Sequence, residues 1–204
     1  MKFTYNNKIE KINSYLDFSN GNVYTLLLIA RKKNNEGITN SQEITFQELV
    51  TSPEDLENKI NKLTKVREGF NEEMKLYISC NPRNIIKAYM EMKKLFLDWD
   101  CELWGNTEEL QNRLRKVPKL FFSCLAKCPA QKKYFMLDID CESQLDDVIK
   151  IMIEFKIFWD GVFITKNGYH ILFACGDCRE LMEKIKNKYL NVELKRDSLL
   201  CIAW

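Results

Sequence analysis

Two apolar runs, Trp159 to Thr165 (WDGVFIT) and Tyr169 to Ala174 (YHILFA), stand on either side of Lys166-Asn167-Gly168. Asn-Gly between two strand-forming segments is a strong hairpin signal, because both residues tolerate a positive φ. The two runs are expected to pair antiparallel, and the surrounding chain must build on that pair. Tyr134 to Asp140 reads as a strand ahead of them. Gln144 to Phe155 reads as a helix with Leu145, Val148, Ile149 and Met152 on its apolar side. Asp177 to Tyr189 reads as a second helix, and Val192 to Ile202 returns to extended structure.

Strand, helix, strand, strand, helix, strand is the order of a small α+β unit of ferredoxin-like or RRM-like type. The first half is less regular. Tyr5 to Leu16 carries Ile9, Ile12 and Leu16 on one helical stripe, and Val23 to Lys32 is a buried strand candidate. Ser52 followed by Pro53 marks a helix start, and Lys75 to Cys80 is a strand broken by Asn81-Pro82. Asn84 to Leu97 and Thr107 to Leu114 read as helices. The fold class is therefore α+β in one domain over 1–204. An N-terminal α/β unit (1–105) and a C-terminal RRM-like unit (106–204) fit the 204-residue length.

With 46% hydrophobic and 29% charged residues, the composition is that of a globular protein. No run approaches the ~20 apolar residues of a membrane span, and the N-terminus has no signal-peptide core. A cytoplasmic protein is expected, and its eight cysteines are expected to be reduced. The net charge of +2 says little, but seven basic residues and no acid fall between Gln111 and Lys133. They are Arg113, Arg115, Lys116, Lys119, Lys127, Lys132 and Lys133. Such a run, with Phe121 and Phe122 inside it, suits a nucleic-acid backbone and its bases. For the two phenylalanines, a place in the core is the favoured alternative.

The stretch YFMLDIDCES drives an apolar strand into two carboxylates. Residues i and i+2 of a strand share a face, so Asp138 and Asp140 project together. Like charges so placed call for a cation between them, and a divalent metal is the usual one. The alternative is a strand running out into a solvated acidic loop. His170 is the one histidine, at the rim of the hairpin beside Lys166. With the N–H groups of the turn they make a candidate phosphate cradle. Asp197, in VELKRDSLL, is a later acid, read by itself as a surface turn residue.

MLDID with Asp138 and Asp140, TKNGYH with His170, and LKRD with Asp197 together resemble the three motifs of the archaeo-eukaryotic primase superfamily. These are a strand ending Asp-x-Asp/Glu, a hairpin with histidine and a closing acid. The resemblance covers Tyr134 to Asp197 and implies a two-layer primase-type fold. It also implies template-directed nucleotidyl transfer by a DNA primase or primase-polymerase. Asp138, Asp140 and Asp197 would hold two Mg²⁺ or Mn²⁺ ions ~3.5 to 4 Å apart, with His170, Lys166 and Thr165 on the nucleotide. YISCNPR, with Arg83, is similar to a strand-Asn-Pro-Arg segment of plasmid and viral members, and would place Arg83 on nucleotide or template phosphate. Arg113, Arg115, Lys116, Lys119 and Arg196 would grip nucleic acid. The implied partners are a single-stranded DNA template, a primer, an NTP or dNTP, and a helicase or large primase subunit. A viral or plasmid origin would place the protein in the host cytoplasm or nucleoid.

Two departures stand out. Arg196 precedes the third acid where the family has an apolar residue, and the chain stops seven residues after Asp197. A minimal core, a piece of a longer polypeptide and a subunit completed by a partner all fit that ending. Cys175 and Cys178, with Cys124 and Cys128, are a candidate structural Zn²⁺ set of imperfect spacing, set against four ordinary thiols. Rival Asp-x-Asp enzymes, a glycosyltransferase or a haloacid-dehalogenase phosphatase, leave TKNGYH and Asp197 unexplained. A non-catalytic primase-like subunit or single-strand-binding accessory protein is the other alternative, though carboxylates on a central strand repel phosphate unless a metal intervenes.

Overall fold

The structure, a computed structural model, describes residues 5–35, 43–131, 133–189 and 191–203. Lys132 of the basic run and Trp204 lie outside the described residues. Helix α1 (Tyr5–Asn13) precedes β1 (Asn22–Ala30), β2 (Ile44–Val50), α2 (Pro53–Glu68) and β3 (Met74–Ser79). Next come β4 (Arg83–Asn84), α3 (Ile85–Glu102), α4 (Thr107–Leu114) and α5 (Val117–Lys127). The second half runs β5 (Tyr134–Ile139), α6 (Leu145–Glu154), β6 (Trp159–Ile164), β7 (Tyr169–Ala174), α7 (Arg179–Lys188), β8 (Val192–Lys195) and β9 (Leu199–Ala203). The class is α+β with two antiparallel sheets, and no described helix is long and apolar enough to cross a membrane.

Local chemistry sets several of these boundaries. The Ser52 hydroxyl caps α2 by accepting from the Asp55 N–H at 3.2 Å, and Pro53 fills the first turn. Asn84 caps α3 in the same way, accepting from the Lys87 N–H at 2.9 Å. Strand β2, not expected from the sequence, pairs with β1 from Ile44↔Ala30 to Val50↔Tyr24. The basic run folds as the end of α4 and all of α5, with Phe121 and Phe122 packed toward the core around Ala88, Met92 and Leu125. That core ties α5 to α3, so both lie with the N-terminal layer.

The second sheet has the order β6-β7-β5-β8. Strand β7 runs antiparallel to both β5 and β6, so α6 crosses between parallel strands, the split βαβ arrangement. Leu137 and Ile139 point from β5 into a core with Val148, Ile151 and Met152 of α6 and Leu181 and Ile185 of α7. Each such side chain contributes ~1.5 to 3 kcal/mol when fully buried. The strand period of two sends Met136 and Asp138 to the opposite face. Met136 joins Leu172, Phe163, Ile12, Leu76 and Ile78 in the core shared with the first sheet. Asp138 is thereby aimed at the seam between the sheets.

The expected strand from Val192 to Ile202 is two strands. Strand β8 pairs with β5, whereas β9 crosses over to become the edge of the first sheet, β2-β1-β3-β9. The hairpin also differs in its turn. Neither Asn167 nor Gly168 adopts a positive φ. Thr165 to Gly168 instead close a four-residue turn, with Thr165 N–H donating to Gly168 O at 2.9 Å and Gly168 N–H to the Thr165 hydroxyl at 3.1 Å. Glycine is required there by close approach, since a Cβ would lie 1.8 Å from the Ile139 carbonyl oxygen. Gly168→Ala is therefore expected to destabilise the protein by about 3 kcal/mol, at the top of the overpacking range, as read by urea denaturation. Ala at Asn167 should have far less effect.

Candidate functional site

A cavity of about 580 Å³ opens at the seam between the two sheets. From the second sheet it receives Asp138 of β5, Asp140 just past the end of β5, His170 of β7, and Thr165 and Lys166 of the hairpin turn. Asp197, in the crossover between β8 and β9, closes one side. Six residues singled out from the sequence thus share one space, although Asp138 and Asp197 are 59 positions apart in the chain.

The hydrogen bonds assign different work to these residues. Asp138 faces His170 across β5–β7 in register, and His170 Nε2 lies 3.2 Å from Asp138 Oδ1. His170 Nδ1 accepts from the Cys201 N–H of β9 at 3.3 Å. That pattern leaves the ring proton on Nε2 and makes His170 a strut between the sheets, with only 7% of its surface exposed. Asp197 is gripped by Arg83 through two bonds, Nη1 to Oδ2 at 2.8 Å and Nη2 to Oδ1 at 3.0 Å. Arg83 also donates to the Ala126 carbonyl at 3.3 Å and lies behind the cavity wall, 8% exposed. Bidentate pairing of this kind fixes geometry as well as charge.

Several lining residues go beyond the sequence reading. Glu193 of β8 stands directly opposite Asp138 in the β5–β8 register, and Lys195, two residues on, shares its face. The alternation Val192-Glu193-Leu194 in an edge strand was the available signal. Lys195 is hydrogen-bonded to Glu193. This bond raises the Lys195 pKa above its ordinary value, against some desolvation, and the charges of Asp138 and Asp140 add to it. From the first sheet come Lys75 and Tyr77 of β3, and Arg31 just past the end of β1. Lys75 and Tyr77 are two apart on β3, and the Arg31 guanidinium lies 5.1 Å from the centre of the Tyr77 ring. No sequence motif marks these three, because their meeting depends on which strands become neighbours.

The remaining candidates lie elsewhere. Arg196 lines a separate groove of about 960 Å³ between α7 and β8. Arg113 is paired with Glu102 at 3.0 Å and Glu109 at 3.2 Å, so the basic run does have acid partners one helical turn back and on α3. Lys133 pairs with Asp17. Arg115, Lys116 and Lys119 are exposed and have no ion pair among the described residues. They belong to the α4–α5 side and do not line the cavity. The eight cysteines are free thiols. Cys124 and Cys128 sit in the α3–α5 core and Cys178 in the α6–α7 core, with Cys175 part-exposed outside both, so the four zinc candidates are not gathered in one place.

The donor set at the seam suits a hard divalent cation, with Asp138 of β5, Asp140 just after it and Glu193 of β8 offering carboxylate oxygens. As the side chains stand, no three His, Cys, Asp or Glu groups among the described residues converge on one point. Lys195 supplies the local positive charge. No protein-family model matches the chain, and no curated protein and no solved structure matches it either.

Because both oxygens of Asp197 are committed to Arg83, this pair is expected to behave as structure. Arg83→Ala should cost about 2 kcal/mol, below the loss on breaking a fully buried pair because Asp197 is partly open to solvent. In a double-mutant cycle with Asp197→Ala, urea denaturation should give a coupling energy of about 1 to 3 kcal/mol.

Proposed function

We propose that the chain is a template-directed nucleotidyltransferase of the primase-polymerase kind, joining an NTP or dNTP to a 3′-hydroxyl on a single-stranded DNA template. The observation that carries this reading is the cavity between the sheets. It brings acids of β5 and β8 together with cations of β3 and of the hairpin turn. A substrate that is a polyanion travelling with a divalent cation complements both sets at once.

Asp138, Asp140 and Glu193 are the groups that would hold Mg²⁺ or Mn²⁺ here, Glu193 taking the place that the resemblance gave to Asp197. A divalent ion, when bound, supplies a lowered pKa for the attacking hydroxyl and neutralises charge at the α-phosphate and the pyrophosphate leaving group. The chain's own residues do the rest. His170 holds Asp138 in place from one side while being held by the Cys201 N–H on the other. Lys166 and Thr165 stand at the turn where the triphosphate of the incoming nucleotide would enter. Lys195 balances the three carboxylates until the ion arrives. The exposed cations Arg115, Lys116 and Lys119 remain candidates for template contacts at a distance from the cavity. A helicase or large primase subunit is the kind of partner this reading anticipates.

One observation favours a second reading. Lys195 already stands among the acids as an internal cation, and a site closed by its own lysine suits a catalytically silent primase-like subunit or a single-strand-binding accessory protein. Nucleotide incorporation on a single-stranded DNA template, with and without primer, in Mn²⁺ and in Mg²⁺, separates the two. The nucleotidyltransferase reading expects metal-dependent product that Asp138→Asn and Asp140→Asn each reduce at least ~100-fold, the scale of losing a main electrostatic contribution. Folded wild-type protein that binds the template but makes no product with either metal selects the second reading.

A further inference from the structure

The first-sheet side of the cavity is cationic in excess of its own counter-charges. The Lys75 side chain is only 12% exposed, and a lysine so enclosed needs a partner. The carboxylate recorded beside it is Glu73, whose Oε1 is 3.9 Å away, beyond hydrogen-bond range. Glu73 gives its other oxygen, Oε2, to Lys166 at 2.6 Å. One carboxylate therefore spans two lysines from different sheets, and its Oε1 is buried without a hydrogen bond among the described residues. Arg31 adds a third positive charge over the Tyr77 ring.

Asn35 fixes this arrangement. Its amide donates to the Arg31 carbonyl at 3.0 Å and to the Glu73 carbonyl at 3.1 Å, while its side-chain oxygen accepts from the Glu73 N–H at 2.6 Å. The segments bearing Arg31 and Glu73 are thus clamped together at the mouth of the cavity. The carboxylate beside the two lysines satisfies one of them well and the other poorly, with Arg31 close by over Tyr77. A phosphate group has more acceptor oxygens and more charge than Glu73, and would satisfy both lysines.

We propose that Arg31, Lys75 and Lys166 form a subsite for the terminal phosphates of a nucleoside triphosphate, and that Glu73 is the internal counter-ion those phosphates displace. The triphosphate rests on the function proposed above; the polyphosphate chemistry of the subsite does not. Glu73 holds the lysines apart from other anions in the free protein and swings clear when the ligand arrives. The subsite then draws the phosphates toward the first sheet, leaving the α-phosphate toward the acids of the second.

Equilibrium binding of inorganic tripolyphosphate and of a nucleoside triphosphate, in EDTA so that no reaction intervenes, tests the subsite directly. Glu73→Gln removes the competing anion and is expected to tighten tripolyphosphate binding about threefold or more, the reach of one partly exposed ion pair. Lys75→Met is expected to weaken it about tenfold, as for a lost charge-assisted bond. Thermal unfolding checks that both variants are folded. Unchanged or weaker binding in folded Glu73→Gln overturns the proposal, whatever Lys75→Met does. Tripolyphosphate binding that Glu73→Gln tightens, in a protein that makes no product, supports the subsite and removes the polymerase. Product formation with an unaltered nucleotide KM in both variants removes the subsite and leaves the polymerase standing.

Discussion

Arg83 and Asp197, 114 residues apart, meet through two short hydrogen bonds at the place where the chain passes from one sheet to the other. Strand β8 ends at Lys195 on the second sheet and β9 begins at Leu199 on the first. The crossover between them is held by this pair and by the Cys80 N–H, which donates to the Ser198 carbonyl at 2.9 Å. Desolvating two charges consumes much of what their attraction returns, so the pair's main effect is on geometry. With the crossover fixed, β9 takes the edge of the first sheet and presents the Cys201 N–H to His170. His170 in turn holds Asp138. The position of the first acid thus depends on an arginine that never reaches the cavity.

The electrostatics of the cavity follow from the same seam. Each sheet alternates inward and outward residues, and along most of the interface the inward ones are apolar: Met136, Phe163 and Leu172 against Leu76, Ile78 and Leu200. On the second sheet that alternation continues with charged residues: Asp138 follows Met136 on β5, and Glu193 and Lys195 follow one another on β8. The first sheet turns its other face to the pocket, since Lys75 and Tyr77 alternate with the core residues Leu76 and Ile78 on β3. The fold therefore builds a polar pocket where the core pattern of the second sheet runs past its apolar side chains and meets the outer face of β3. Acids come from the β5–β8 side, while cations come from both sheets: Arg31 and Lys75 from the first, Lys166 and Lys195 from the second. Glu73 and Lys195, one of each sign, are the internal charges that hold the pocket neutral when it is empty.

Much of this was legible in the sequence where a rule is local. The hairpin, the βαββαβ order, the capped start of α2 and the shared face of Asp138 and Asp140 all rest on neighbours within a few residues. What was not legible rests on which strands become partners. Val192 to Ile202 is extended almost throughout, and nothing in its residues reports that the chain changes sheets at Arg196 to Ser198. Read as one strand, it makes Asp197 the acid nearest the end. Seen in register with β5, the acid opposite Asp138 is Glu193, in an apolar-acid-apolar triplet. Arg31, Lys75 and Glu73 escaped for the same reason, since each belongs to a segment whose partner lies far along the chain. The glycine of the turn was found on the wrong ground, conformational freedom instead of contact with Ile139.

The central claim is that the acids of β5 and β8, and not the crossover aspartate, form the cation-binding face. Mn²⁺ binding, followed by the loss of the free-ion paramagnetic resonance signal, tests it in the intact chain without any assay of activity. Wild-type protein and folded Asp197→Asn should bind the ion with similar affinity, while Glu193→Gln should bind it at least about tenfold more weakly. Undiminished binding in Glu193→Gln together with its loss in folded Asp197→Asn would contradict the account and return the third ligand to the crossover.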